Sequence, residues 1–167
     1  DMFVALYNNS ATRLWTNTLG AVGGTVRGAG VAFGGSGDLY IAGETDVALD
    51  GQTKIGAKDF FLTQYSNPAG VRNWTRQLGA VTPALSITKA NTVTLIPGGD
   101  IALAGTTNGN LDGNTLVGTF DLFLTSYNNA GARLYTQQMG VAGATTEAKS
   151  IYPDFLSNVL LYQLQTT

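Results

Sequence analysis

Three stretches of the chain repeat one another, and this repetition constrains the fold more than any other feature. Residues 1–20 (DMFVALYNNSATRLWTNTLG), 59–79 (DFFLTQYSNPAGVRNWTRQLG) and 121–140 (DLFLTSYNNAGARLYTQQMG) share one plan. Each runs from an aspartate through an apolar strand and a polar turn to a second strand, which has an aromatic at its middle and glycine at its end. The leading aspartates lie 58 and 62 positions apart. A period of this size marks a modular array, in which each unit buries its hydrophobic faces against its neighbours.

The intervening segments repeat as well. A small-residue strand at 28–34, centred on Val31 and Phe33, leads through a glycine turn at 35–38 to a strand at 39–43. A polar connection at 44–58 then carries LDGQT at 49–53. The second copy has a strand at 86–96, a turn at 97–100, IALAG at 101–105 and a connection at 106–120 with LDGNT at 111–115. Aspartate beside glycine favours a tight turn in both. After the third aromatic strand, 149–155 stands where Val31 and Ile87 stand, and 159–167 where Leu39 and Ile101 stand.

In residues 1–7, Phe3, Ala5 and Tyr7 fall on one side of the alternation and Met2, Val4 and Leu6 on the other. A strand with one wet face alternates apolar with polar; one that is apolar on both faces is expected between two layers. No helical periodicity extends over a usable length. Four short strands per period, linked by tight turns and apolar on both faces, predict an all-β fold of β-propeller blades, each a four-stranded antiparallel sheet. The chain holds about three blade equivalents with half-blades at both termini. A single domain at 1–167 divides into an outer half-blade at 1–20, blades at 21–79 and 80–140, and an inner half-blade at 141–167.

Composition narrows the function. The chain has no Cys and no His, which excludes disulfides, thiolate nucleophiles, His-based triads and His or Cys zinc sites. Nine basic and eleven acidic residues give a net charge of −2 with no basic run, against nucleic-acid binding. No apolar run approaches the ~20 residues of a membrane-spanning helix. The chain opens at Asp1, which fits either a removed leader or a fragment of a longer protein.

The motif D-x-F-x-x-x-Y, a turn, an aromatic strand ending in glycine, LYIAGET and a loop with LDGxT resembles the bacterial SBBP-type beta-propeller repeat family. The resemblance covers nearly the whole chain, is closest at 59–79 and weakest after Thr145, where the glycines and the AGxT ending are lost. It implies exported or surface-attached bacterial proteins with propeller folds, placed at the cell surface, extracellularly or in the periplasm. It implies no shared catalytic residues.

Candidate chemistry is sparse. Asp46, Asp50, Asp59, Asp112 and Asp121, with Asn110 nearby, supply oxygen ligands on glycine-containing loops of the kind that suits calcium. The full D-x-D-x-D-G pattern is missing, and turn formation explains the same residues. No other cofactor is implied. Glu44 and Glu147 are the only glutamates, and no carboxylate pair is marked out for glycoside hydrolysis. The glycines around GGTVRG lack the lysine and following helix of a phosphate loop. Trp15, Trp74 and Tyr135 are expected to fill space between adjacent blades, with carbohydrate stacking as the alternative. Arg72 and Arg76 are expected to be solvated strand residues.

These readings give a non-catalytic structural or interaction protein, self-assembling into a homo-oligomeric ring or filament by pairing its terminal half-blades. A surface propeller or adhesin binding glycan or protein through the loops at 44–58 and 106–120 is the alternative, and a carboxylate-dependent hydrolase the third.

Overall fold

The computed structural model describes residues 1–156 and 158–166; Ser157 and Thr167, which fall within the expected inner half-blade, lie outside the described residues. Twelve strands and no helix occur among the described residues. A first sheet pairs β1 (Met2–Tyr7) with β2 (Arg13–Leu19). A second runs in the order β3 (Val26–Phe33), β4 (Leu39–Thr45), β5 (Asp59–Tyr65), β6 (Arg72–Leu78). A third runs β7 (Thr88–Leu95), β8 (Ile101–Thr107), β9 (Asp121–Tyr127), β10 (Arg133–Met139), and a fourth pairs β11 (Thr145–Pro153) with β12 (Val159–Thr166). All pairings within sheets are antiparallel between consecutive strands.

The all-β expectation holds. Only the two central sheets have four strands, however; the other two have two each, and no closed ring of sheets is seen among the described residues. Sheet packs on sheet in chain order, and each junction has its own core. Leu19 with Met2, Val4 and Trp15 meets Leu39, Ile41, Phe61 and Tyr65 at the first. The second brings Tyr40, Phe60 and Leu62 against Leu103, Phe123 and Tyr127, with the Phe60 and Phe123 rings stacked 5.2 Å apart. At the third, Ala102, Ala104 and Leu122 meet Ala148 and Ile151.

This layering explains the strand sequences. LYIAGET, DFFLTQY, IALAGTT and DLFLTSY are apolar on both faces because β4, β5, β8 and β9 each have a sheet on either side, and they are buried almost throughout. β1 has the same pattern but only one neighbour. The expectation that β1 lies between two layers is therefore corrected: Met2 and Val4 pack inward, whereas Phe3 and Tyr7 are 73% and 57% exposed.

Local geometry repeats with the sequence. In each LDG turn the aspartate and glycine both take positive φ, 47° and 76° at Asp50 and Gly51, 53° and 81° at Asp112 and Gly113. The preceding Leu49 and Leu111 plug the core, and their carbonyls accept from the N–H of Gln52 and Asn114 at 2.8 and 3.0 Å. A register shift recurs at Gly28/Gly30, Ala90/Thr92 and Ala148/Ser150, and another beside the turn of each outer hairpin. Such bulges bend and twist a strand at a defined place. Parallel bridges, Lys58 to Ile87 and Phe120 to Thr145, tie the approach to one sheet's third strand to the first strand of the next sheet.

Candidate functional site

Four of the five acidic residues proposed as calcium ligands fall into two pairs of equivalent positions, Asp50 with Asp112 and Asp59 with Asp121, and Asp46 stands apart. Asp59 is fully buried and accepts from the backbone N–H of Ile55 and Gly56, both at 2.8 Å, and from the Gln77 amide at 2.9 Å. Asp121 does the same with Val117 at 2.8 Å, Gly118 at 2.7 Å and Gln138 at 2.9 Å. Glycine must close the aromatic strand because a Cβ at Gly20, Gly79 or Gly140 would overlap the carboxylate of Asp1, Asp59 or Asp121. Asp50 accepts from Arg72 at 2.7 Å and from the Thr75 hydroxyl at 2.5 Å, and Asp112 accepts from Arg133 at 2.5 Å. The Thr25 N–H, at 2.6 Å, holds the Asp46 carboxyl below the usual carboxylate range. No three acidic side chains converge among the described residues.

Both arginines make specific contacts: Arg72 stays exposed, as expected, whereas Arg76 is half-buried. Arg72 closes the LDG turn through Asp50 and also donates to the Thr18 carbonyl of the first sheet at 3.2 Å. Arg76 donates its Nε–H to the Gly131 carbonyl of the third sheet at 2.7 Å and places its guanidinium 5.2 Å from the centre of the Trp74 ring. A polar groove bordered by Asp50, Arg72, Trp74 and Arg76 lies here, and its charged groups are already paired with one another or with backbone.

Two of the three recurrent aromatics, Trp15 and Trp74, act at the sheet junctions. Trp15 stacks on Tyr65 of the second sheet with ring centroids 6.1 Å apart and lies against Gly70, where an added Cβ would come within 2.6 Å of the indole. Trp74 repeats the contact one sheet along: its indole N–H donates to the Asn129 carbonyl at 3.2 Å, and a Cβ at Gly131 would come within 2.9 Å of the ring. Both glycines are in the left-handed region, at φ 67° and 77°. Tyr135, the third member, has no such turn against it among the described residues and is 40% exposed.

Three apolar surfaces stay open. On the first sheet, Phe3 and Tyr7 occupy the positions of Phe61 and Tyr65, and of Phe123 and Tyr127, which are wholly covered at the internal junctions. A groove of about 480 Å³ runs between β1 and β3, lined by Phe3, Gly28, Val31 and Phe33. At the far end of the stack, β11 and β12 turn Tyr152, Leu160, Tyr162 and Leu164 outward, at exposures of 46 to 73%. The last three correspond in register to Tyr40, Ala42 and Glu44 of β4, whose Tyr40 and Ala42 pack onto the next sheet.

Reading the repeat residue by residue would have found the Gln77 and Gln138 pair, the Arg72 and Arg133 pair, and the Gly70 and Gly131 pair, since each recurs at one place in the unit. A reading of the aromatics alone does not reach them. Compared with known proteins, the chain matches no protein-family model and no curated protein.

Proposed function

We propose that this is a non-catalytic structural protein built of β-propeller blades, self-assembling at the cell surface or outside the cell. The carrying observation is that the two two-stranded sheets are complementary halves. β1–β2 corresponds to the outer two strands of each four-stranded sheet and β11–β12 to the inner two, and both expose large apolar residues. Together they make one more four-stranded sheet, with β12 beside β1 as β4 lies beside β5. An open strand edge beside an apolar face is a template for strand addition. The occupant to which the reading commits is a second copy of this chain.

Glycan binding at the Trp74 groove is the less favoured reading, because the half-buried ring already packs against Tyr40, Arg76 and Gly131. Carboxylates that serve as turn clasps, Asp50, Asp59, Asp112 and Asp121, likewise favour architecture over hydrolysis. The decisive measurement is the mass of the purified chain across a concentration series by sedimentation. Multiples of the chain mass that grow with concentration are expected; a single-chain mass throughout overturns the reading.

A further inference from the structure

The first two junctions between neighbouring sheets inside the chain follow one rule, and residues of the third and first sheets carry the same rule in altered form. At each of these two junctions the aromatic of an outer strand presses on a left-handed residue in the next sheet's outer turn, Trp15 on Gly70 and Trp74 on Gly131. A side chain two residues on then donates to that residue's carbonyl: Asn17 to Gly70 at 2.6 Å, Arg76 to Gly131 at 2.7 Å. The corresponding aromatic and donor on the third sheet are Tyr135 and Gln137, both exposed, and the Gln137 amide makes no hydrogen bond among the described residues. The corresponding turn residue is Ala11 of the first sheet, also exposed, at φ 59°.

We propose that the β1–β2 hairpin of a second copy docks on the third sheet of the first, with Ala11 of the incoming turn against Tyr135 and the Gln137 amide donating to the Ala11 carbonyl. This rests on the self-assembly reading and specifies its contact. A Cβ is what Gly70 and Gly131 cannot carry beneath an indole. Ala11 carries one, and the ring that would meet it is the smaller phenol. The seam between copies is thereby marked off from the internal junctions by a matched pair of substitutions, Ala for Gly and Tyr for Trp.

The same docking sets the strand pairing. β4 pairs with β5 as Leu39 with Tyr65 and Ile41 with Thr63, and β8 with β9 as Ile101 with Tyr127 and Leu103 with Thr125. The corresponding register aligns Val159 of one copy with Tyr7 of the next, and Leu161 with Ala5. Phe3 and Tyr7 then lie over the third sheet as Phe61 and Tyr65 lie under Trp15. Tyr162 and Leu160 of the first copy enter the groove beside β3 of the second. The seam departs from the internal ones at Gln163, which stands opposite Phe3 where Gly43 and Gly105 stand opposite Phe61 and Phe123. The contact is heterologous, joining one end of a copy to the other end of the next, so it builds rings or filaments and not face-to-face dimers.

The absence of cysteine makes the test direct. Copies carrying A11C are mixed with copies carrying Q137C and treated with a short bismaleimide. Covalent pairs between the two variants are expected, with none from either variant alone; pairs from A11C alone would overturn the proposal in favour of a face-to-face contact. Separately, sedimentation compares Y135W with the A11G/Y135W double variant. The indole against the Ala11 methyl should weaken association about ten-fold or more, and removing the methyl should restore it. Unchanged association in Y135W, or no cross-link in an assembled protein, overturns this contact and leaves self-assembly standing. A wild-type chain of single-chain mass removes both.

Discussion

At the scale of single residues, buried polar groups with defined partners hold the repeat together. Asp59 and Asp121 each satisfy two backbone N–H groups and a glutamine amide in the interior. Removing a buried charged acceptor leaves those donors unpaired, at about 1–3 kcal/mol or more. Asp59→Ala and Asp121→Ala are each expected to lower the unfolding free energy by that order, whereas Asp46→Ala, at a less enclosed position, should change it by less; equilibrium unfolding in urea checks both. Tyr127 gives a pH dependence. Burial pushes its hydroxyl up to about 12 against the pull of the nearby Arg133. The folded state thus keeps a proton that the unfolded chain loses near 10. The stabilisation is whole below pH ~10, is lost as pH rises toward ~12, and amounts to at most about 3 kcal/mol. Tyr127→Phe should flatten stability across that window, as read by unfolding at pH 9, 10 and 11.

Between residues and the whole lies the element, where the sequence was legible in unequal measure. The strand order and the Asp-Gly turns could be read because alternation, glycine and aspartate act locally, within a few residues of where they stand. The burial of β1 could not, since a strand's own sequence states how many faces are apolar and not how many neighbours are present. MFVALY and DFFLTQY carry nearly the same pattern, yet Phe61 is wholly buried and Phe3 exposed. The roles of Arg72 and Arg76 escaped for a related reason: their partners, Asp50 and Gly131, lie 22 and 55 positions away and meet them only through the meander and the stacking of sheets. The aspartates read as possible metal ligands were legible as turn residues, and their glutamine and arginine partners become visible only when the copies are aligned column by column.

For the whole molecule, the unequal burial of equivalent positions becomes a statement about assembly. Mutations on the outward face of β11–β12 should separate folding from association, because Tyr162 and Leu160 touch no core within one chain while their equivalents on β4, Ala42 and Tyr40, are core residues. Tyr162→Lys places a charge on a surface that is 65% exposed in the single chain and that the proposed seam would bury. An unpaired charge desolvated at an interface costs several kcal/mol, enough to weaken association by about a hundred-fold or more. Thermal unfolding of the dilute chain should shift little, since an exposed substitution typically changes stability by under about 0.5 kcal/mol. Sedimentation at matched concentrations should show assemblies of the parent and single chains of the variant. If Tyr162→Lys assembled as the parent does, the outward face of β12 would not be the surface through which copies join, and the complementarity of the two half-sheets would lose its functional meaning. Salt separates the remaining possibility of a charge-driven contact: a seam of Tyr, Leu and Phe side chains should hold or strengthen in sulfate, whereas a contact made by exposed ion pairs should weaken.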